Sequence, residues 1–187
     1  MNPANFVTWV RIALIPVFVY FMYEAGDSTR MTAAAWTALV IYVVATLSDY
    51  LDGYLARRLD IITPTGQFLD PLADKFLVGA ALFGLIAFKG FPVWAALVIA
   101  VREVAIVALR SAAMRRGNSM PAGRHAKYKT TVQLVMVLAW LFPRAGAWVP
   151  VQDVLLFAAV LITAYSGIRY ALLSGRLLAR QPDPAER

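Results

Sequence analysis

Six apolar stretches, each about as long as a membrane-crossing helix, follow one another along the chain. A helix needs about 20 predominantly apolar residues to cross the hydrocarbon core of a bilayer. Hydrophobic residues make up 60% of the 187, more than a soluble domain of this size normally carries. The sequence therefore predicts an all-α integral membrane bundle of six transmembrane helices. We place these at residues 5–25, 33–56, 67–88, 91–114, 127–142 and 151–173.

The formal net charge is +7, and most of the basic residues lie in the loops on one side of the predicted bundle. Because basic loops of membrane proteins face the cytoplasm, we expect both termini and the loops after the second and fourth stretches to be cytoplasmic. This distribution also argues against a nucleic-acid partner. The opposite side carries Arg30, Lys89 and Arg144. The cytoplasmic set is Arg57, Arg58, Arg115, Arg116, Arg124, Lys127, Lys129, Arg176, Arg180 and Arg187.

The chain shows no internal repeat and no composition shift that would mark a second domain. We expect residues 1–180 to form one domain and the polar residues 181–187 to form a disordered tail. The absence of cysteine excludes disulfides and thiolate metal ligands. The first apolar stretch lacks a basic leader and a convincing cleavage site, so we expect a retained span and not a signal peptide.

Four aspartates lie within 26 positions where the second stretch ends and the third begins. Asp49 and Asp52 are three residues apart, and Asp70 and Asp74 are four apart, so each pair lies on one helix face. A short connection makes the two helices antiparallel neighbours, and both pairs can converge near the cytoplasmic end. Converging carboxylates repel one another unless divalent cations neutralise them. Oxygen ligands of this kind suit Mg²⁺, Mn²⁺ or Ca²⁺.

The residues between the aspartate pairs suit a nucleotide-diphosphate ligand. Gly53 and Ala56 present almost no side chain, so a ligand can lie close to the backbone. Arg57 follows one turn after Gly53 and can bind phosphate through two donors. A solvated acidic helix end, or small residues at a helix-packing face, would explain parts of the segment. Neither alternative explains four costly carboxylates together with Arg57.

The aspartate segment reads DYLDGYLAR from Asp49 to Arg57, then eight residues, then GQFLDPLAD from Gly66 to Asp74. This pattern resembles the signature of the CDP-alcohol phosphotransferase family at every defining position. The resemblance implies that a hydroxyl attacks the phosphoryl group of a CDP-linked lipid and that CMP leaves. It implies two Mg²⁺ or Mn²⁺ ions, the first held by Asp49, Asp52 and Asp70, and the second by Asp70 and Asp74. Asp74 also resembles the family's proton acceptor for the incoming hydroxyl.

The same resemblance implies which residues hold the CDP-lipid. These are Gly53, Ala56, Arg57 and Thr63, with Gly66 beside the nucleotide. Members of the family commonly form homodimers through membrane helices, so we expect a homodimer.

Three polar residues on successive turns open the first helix near its cytoplasmic end: Asn5, Thr8 and Arg11. They either line a site or anchor the helix. We assign Asn5 and Thr8 to the CDP-lipid site and give Arg11 no role in it.

Two segments resemble phosphatidylglycerophosphate synthases, a subgroup of the family: Arg102–Arg110 and Lys127–Gln133. The resemblance implies CDP-diacylglycerol as donor and sn-glycerol 3-phosphate as acceptor. A basic pocket of Arg110, Lys127 and Lys129 would suit this dianion. Alternatively, Arg110 and Lys129 reach lipid headgroups.

The subgroup pattern Gly-Lys-x-Lys-Thr departs at one point, because Ala126 stands where the glycine is expected. His125, the only histidine, lies in a basic interfacial loop and receives no role. Glu103, beside Arg102, is expected to belong to an intramembrane ion pair and not to a metal site.

Other acceptors within the family are inositol phosphate, serine and phosphatidylglycerol. A cation transporter would need polar residues spread through the membrane depth, whereas these carboxylates cluster at one end. A soluble prenyl-diphosphate enzyme is excluded because the helices are apolar on nearly every face. The sequence thus favours a multi-pass enzyme of the cytoplasmic (inner) membrane whose active site faces the cytoplasm.

Overall fold

The computed structural model describes the backbone of residues 3–59, 64–115 and 125–179, and the side chains of 8–48, 73–109, 111–113 and 129–174. Within these ranges the chain forms six α-helices and no strand, which confirms the predicted all-α class. Each helix overlaps one of the six apolar stretches. The helices are α1 Pro3–Ala25, α2 Ala33–Leu59, α3 Pro64–Lys89, α4 Val93–Arg115, α5 His125–Leu141 and α6 Trp148–Ala179.

Glycines in the left-handed backbone region end α1 and α3. Gly26 has a φ of 54° and Gly90 a φ of 65°. The Gly26 N–H donates to the Met22 carbonyl at 3.2 Å, and the Phe91 N–H donates to the Leu85 carbonyl at 3.1 Å. These bonds satisfy carbonyls that have no partner inside the helix. A β-carbon at either glycine would strain the backbone.

Replacing Gly90 by alanine should therefore lower the free energy of unfolding by about 1–2 kcal/mol, the cost of a left-handed non-glycine residue. Gly79→Ala is the matched control, because Gly79 lies inside α3 and an added β-carbon there meets nothing within 4 Å. That variant should be as stable as the wild type or more stable by up to about 1 kcal/mol. Thermal unfolding in detergent would compare them, and equal melting temperatures for both variants would contradict the expectation.

The chain divides into two compact units, neither of which is continuous in sequence. The first combines residues 1–91 with 137–149, and the second combines 92–136 with 150–187. In the first unit, α1 packs against both α2 and α3, and between the described parts of α2 and α3 there is less contact.

Two contacts show how closely α1 approaches its neighbours. The rings of Phe18 and Tyr42 lie 5.6 Å apart between α1 and α2. A β-carbon on Gly84 of α3 would come within 3.2 Å of the Met22 side chain, so the glycine allows close packing there.

Residues 137–149 complete the first unit through aromatic contacts. The rings of Phe91 and Trp140 meet edge to face at 4.8 Å. Phe142 meets Trp36 of α2 in the same manner at 5.9 Å. Edge-to-face aromatic pairs add to the stabilisation from buried area. This segment therefore belongs with α1 to α3, although it follows α4 in the chain.

Large apolar side chains are exposed on helices of both units, among them Phe83 at 58%, Val104 at 69% and Leu161 at 67%. Apolar surface on this scale indicates a protein that contacts lipid. Among the residues whose side chains are described, two stretches are long and apolar enough to cross a membrane, Thr8–Ala25 and Trp148–Ser174. The structure thus supports a membrane protein, while crossing by all six helices and the orientation of the loops stay predictions.

Candidate active site

The four aspartates lie on α2 and α3 of the first unit. The α2 backbone is helical through Asp49 and Asp52, and the α3 backbone through Asp70 and Asp74, so each pair occupies one helix face. α3 begins at Pro64, which fits a first helical turn because proline has no N–H to leave unpaired there. Of the four side chains, only that of Asp74 lies within the described residues.

Asp74 is partly buried and follows the fully buried Ala73. Its carboxylate interacts electrostatically with the hydroxyl of Tyr42 on α2. Tyr42 and Asp49 are seven residues apart and therefore share a face of α2. Asp74 therefore lies near the face of α2 that carries Tyr42 and, by helical register, Asp49.

The donor set fits a divalent metal, because carboxylate oxygens are the hard ligands that Mg²⁺ and Mn²⁺ prefer. Among the side chains that the structure describes, no three acidic or histidine residues are grouped as metal ligands. Asp49, Asp52 and Asp70 lie outside that part. The metal site therefore stays a prediction that rests on donor chemistry and helical register.

Buried polar residues of α1 approach the start of the aspartate segment. Thr8 and Arg11 are only 1% and 2% exposed. The Nε of Arg11 donates to the carbonyl oxygen of Ala45 at 3.1 Å. Since helical geometry pairs this carbonyl with the N–H of Asp49, Arg11 is attached to the turn that leads into Asp49. This hydrogen bond is an anchoring contact between α1 and α2.

For most of the other residues predicted to bind the CDP-lipid, the structure describes the backbone and not the side chain. Thr63 falls outside the described residues. For the remaining residues the structure gives the helix but not the side chain. They are Asn5 in α1, Gly53, Ala56 and Arg57 in α2, and Gly66 in α3.

A polar network in the second unit joins α4, α5 and α6. Arg102 Nη1 donates to Glu103 Oε1 at 3.1 Å, which confirms the predicted ion pair. Lys129 Nζ forms an ion pair with the same oxygen. Arg102 Nη2 donates to Ser166 Oγ at 3.2 Å. The sequence placed Lys129 on the acceptor phosphate and missed its pairing with Glu103.

The side chains of Arg110 and Lys127 lie outside the described residues, although both backbones are helical, in α4 and α5. Their predicted contact with the acceptor therefore stays a prediction. His125 begins α5, so it belongs to a helix and not to the loop in which the sequence placed it.

The helical signature on α2 and α3, within an all-α membrane protein, defines the class as a phosphatidyltransferase. A model of the CDP-alcohol phosphatidyltransferase family matches residues 1–165, and the chain belongs to this family. The match confirms the resemblance drawn from the aspartate segment.

Three bacterial relatives, each called CDP-diacylglycerol--glycerol-3-phosphate 3-phosphatidyltransferase, resemble nearly the whole chain. The Bacillus subtilis protein is 38% identical over 180 residues, which cover 90% of this chain and 93% of that protein. The Escherichia coli K12 protein is 37% identical over 177 residues, covering 90% and 92%. The Pseudomonas fluorescens protein is 36% identical over 178 residues, covering 91% and 88%.

Proposed function

We propose that this chain transfers the phosphatidyl group of CDP-diacylglycerol to a hydroxyl of sn-glycerol 3-phosphate, in glycerophospholipid biosynthesis. The products are phosphatidylglycerophosphate and CMP. The observation that carries the proposal is the set of relatives with this activity in their names, each 36–38% identical to about nine-tenths of the chain. The aspartate signature on α2 and α3 supplies the groups that such a transfer needs.

In the proposed reaction the acceptor hydroxyl forms a bond to the lipid-linked phosphorus, and the bond from that phosphorus to the CMP oxygen breaks. Asp74 accepts the proton of the hydroxyl as negative charge leaves the nucleophile. Arg57 binds the diphosphate, and Gly53 with Ala56 leaves space for it. Two Mg²⁺ or Mn²⁺ ions, when bound by the four aspartates, would supply charge neutralisation at the transferring phosphoryl group.

The proposal includes a location in the cytoplasmic membrane, with six spans and the aspartate-bearing helix ends on the cytoplasmic side. Two arguments support this orientation. Basic residues are concentrated in the loops at that end of the helices. Both glycerol 3-phosphate and CMP are water-soluble and charged, so they enter and leave from water and not from lipid. A homodimer formed through membrane helices is part of the same proposal.

Acceptor specificity tests the proposal directly. Purified protein in detergent should release CMP from CDP-diacylglycerol when sn-glycerol 3-phosphate is supplied with Mg²⁺, and much less with serine, inositol phosphate or phosphatidylglycerol. The physical reason is the basic set Arg110, Lys127 and Lys129, which favours a small dianion. CMP release that occurs only with serine would contradict the assignment. Ion flux in vesicles without any CMP release would favour the transporter alternative.

A further inference from the structure

Glu103 holds two cationic side chains with a single carboxylate oxygen. Its Oε1 accepts a hydrogen bond from Arg102 at 3.1 Å and pairs with the ammonium of Lys129. The side chains of Arg102, Glu103 and Lys129 are 13%, 20% and 6% exposed, respectively. Burying charges is costly unless they are paired, so this carboxylate contributes to holding both cations inside the second unit.

Besides its pair with Glu103, Arg102 is held by a hydrogen bond to α6. Its Nη2 donates to Ser166 Oγ at 3.2 Å, and that hydroxyl donates to the Thr163 carbonyl at 3.0 Å. A β-carbon on Gly167 would come within 3.0 Å of Arg102 Cγ, so the glycine leaves room for the arginine. Arg102 is therefore anchored, whereas the flexible stem of Lys129 allows its ammonium to change partners.

One buried donor of the network, and another on the same face of α5 as Lys129, lack an acceptor among the described residues. Arg102 Nε and Gln133 Nε2 are buried and have no hydrogen-bond partner among the described residues. Gln133 lies one turn after Lys129 on the same face of α5. Buried donors without acceptors are costly, and an added anion would relieve that cost. The composition of the network therefore favours an incoming oxyanion.

We propose that Glu103 is a positioning residue. In the absence of acceptor, its carboxylate pairs with Lys129 in the place that the phosphate of the anionic acceptor takes when it binds. When acceptor binds, the ammonium moves from the carboxylate to the phosphate oxygens, and no covalent bond changes. Lys129 lies in the second turn of α5, at the helix end that the proposed orientation places on the cytoplasmic side, so a water-soluble anion can approach its ammonium from there. The inference rests on the proposed function for the identity of that anion.

Replacing Glu103 by glutamine keeps the shape and the acceptor oxygen but removes the charge that competes with phosphate. E103Q should lower the KM for sn-glycerol 3-phosphate about tenfold, as expected when one charge is removed several ångströms from a dianion in a partly screened site. Without anion, the variant should melt at a lower temperature than the wild type, because two cations lose their counter-charge. Inorganic phosphate should raise its melting temperature more than it raises that of the wild type.

Two further variants control the experiment in full-length protein in detergent. Glu24→Gln makes the same charge change at an exposed position near the end of α1 and should alter neither the KM nor the response to phosphate. Lys129→Met should raise the KM and remove the stabilisation by phosphate. If E103Q does not fold, Glu103→Asp, which shortens the reach toward Lys129, should lower the KM to a smaller extent.

An unchanged or increased KM in the Glu103 variant, with no enhanced response to phosphate, would show that Glu103 only supports the fold. This failure is distinguishable from failure of the proposed function. If the wild type turns over glycerol 3-phosphate but the Glu103 variant lacks both effects, only the inference about Glu103 fails. If the wild type does not use glycerol 3-phosphate, the proposed function fails, and thermal unfolding with inorganic phosphate still tests the exchange.

Discussion

Asp74→Asn should slow CMP release by a factor of about 10²–10⁴, the usual contribution of a general base. The amide has nearly the same shape as the carboxylate and keeps an oxygen that can bind metal, but it cannot take the proton of the acceptor hydroxyl. Asp74 is partly buried on α3, where Ala73 and Leu77 lie in the core and fix the helix. The variant should therefore fold and bind metal while losing most of its turnover at saturating substrates.

Asp27→Asn is the matched control, because Asp27 is exposed in the turn after α1. It should release CMP at the wild-type rate. Thermal unfolding in detergent would verify that Asp74→Asn is folded, and the electron paramagnetic resonance signal of bound Mn²⁺ would verify metal binding. A nearly wild-type rate in the variant would remove Asp74 from the role of base. Loss of Mn²⁺ together with activity would leave Asp74 with the role of metal ligand and without independent support for the role of base.

Removal of divalent metal should abolish CMP release, a loss of at least about 10³-fold if charge stabilisation supplies most of the catalysis. The four carboxylates of α2 and α3 are predicted to converge and would then repel one another, and a bound diphosphate would bring further negative charge to the same place. Treatment with EDTA followed by desalting should give inactive protein. Added Mg²⁺ or Mn²⁺ should restore the rate, whereas monovalent salt at equal ionic strength should not.

EDTA would remove metal bound by the aspartates and also metal bound only by the substrate diphosphate. A variant of one predicted aspartate ligand distinguishes these two cases. Asp49→Asn should require a higher Mg²⁺ concentration for the half-maximal rate, since one charged ligand is lost. Asp27→Asn should show the wild-type requirement. Activity that persists after EDTA and desalting would refute the predicted metal centre.

Much of the fold follows from residue types and their spacing. Apolar stretches of membrane length predict the six helices, and spacings of three and four residues predict the shared faces of the aspartates. The helix ends are less well predicted. α2 continues to Leu59, beyond the expected residue 56, and α3 begins at Pro64 instead of residue 67. Polar residues at the ends of a membrane helix continue its backbone hydrogen bonds, and a count of apolar residues does not detect them.

Contacts between helices are the part of the site that the sequence could not supply. The sequence predicted that Glu103, beside Arg102, belongs to an ion pair, and it has one with Arg102. The pairing of Lys129 with Glu103 depends on how α4 and α5 pack, and the contact of Arg11 with the Ala45 carbonyl depends on α1 and α2. Side-chain spacing within one helix carries no information about either.

The discontinuous composition of the first unit has a consequence for biosynthesis. The ribosome makes α1 to α3 early, but Trp140 and Phe142, which pack on Phe91 and Trp36, emerge only after residues 92–136. After insertion, the aspartate-bearing helices therefore stay in the bilayer for a time before Trp140 and Phe142 can pack on Phe91 and Trp36. The unit that carries the four aspartates is thus completed late in translation, after α4 and most of α5 have been made.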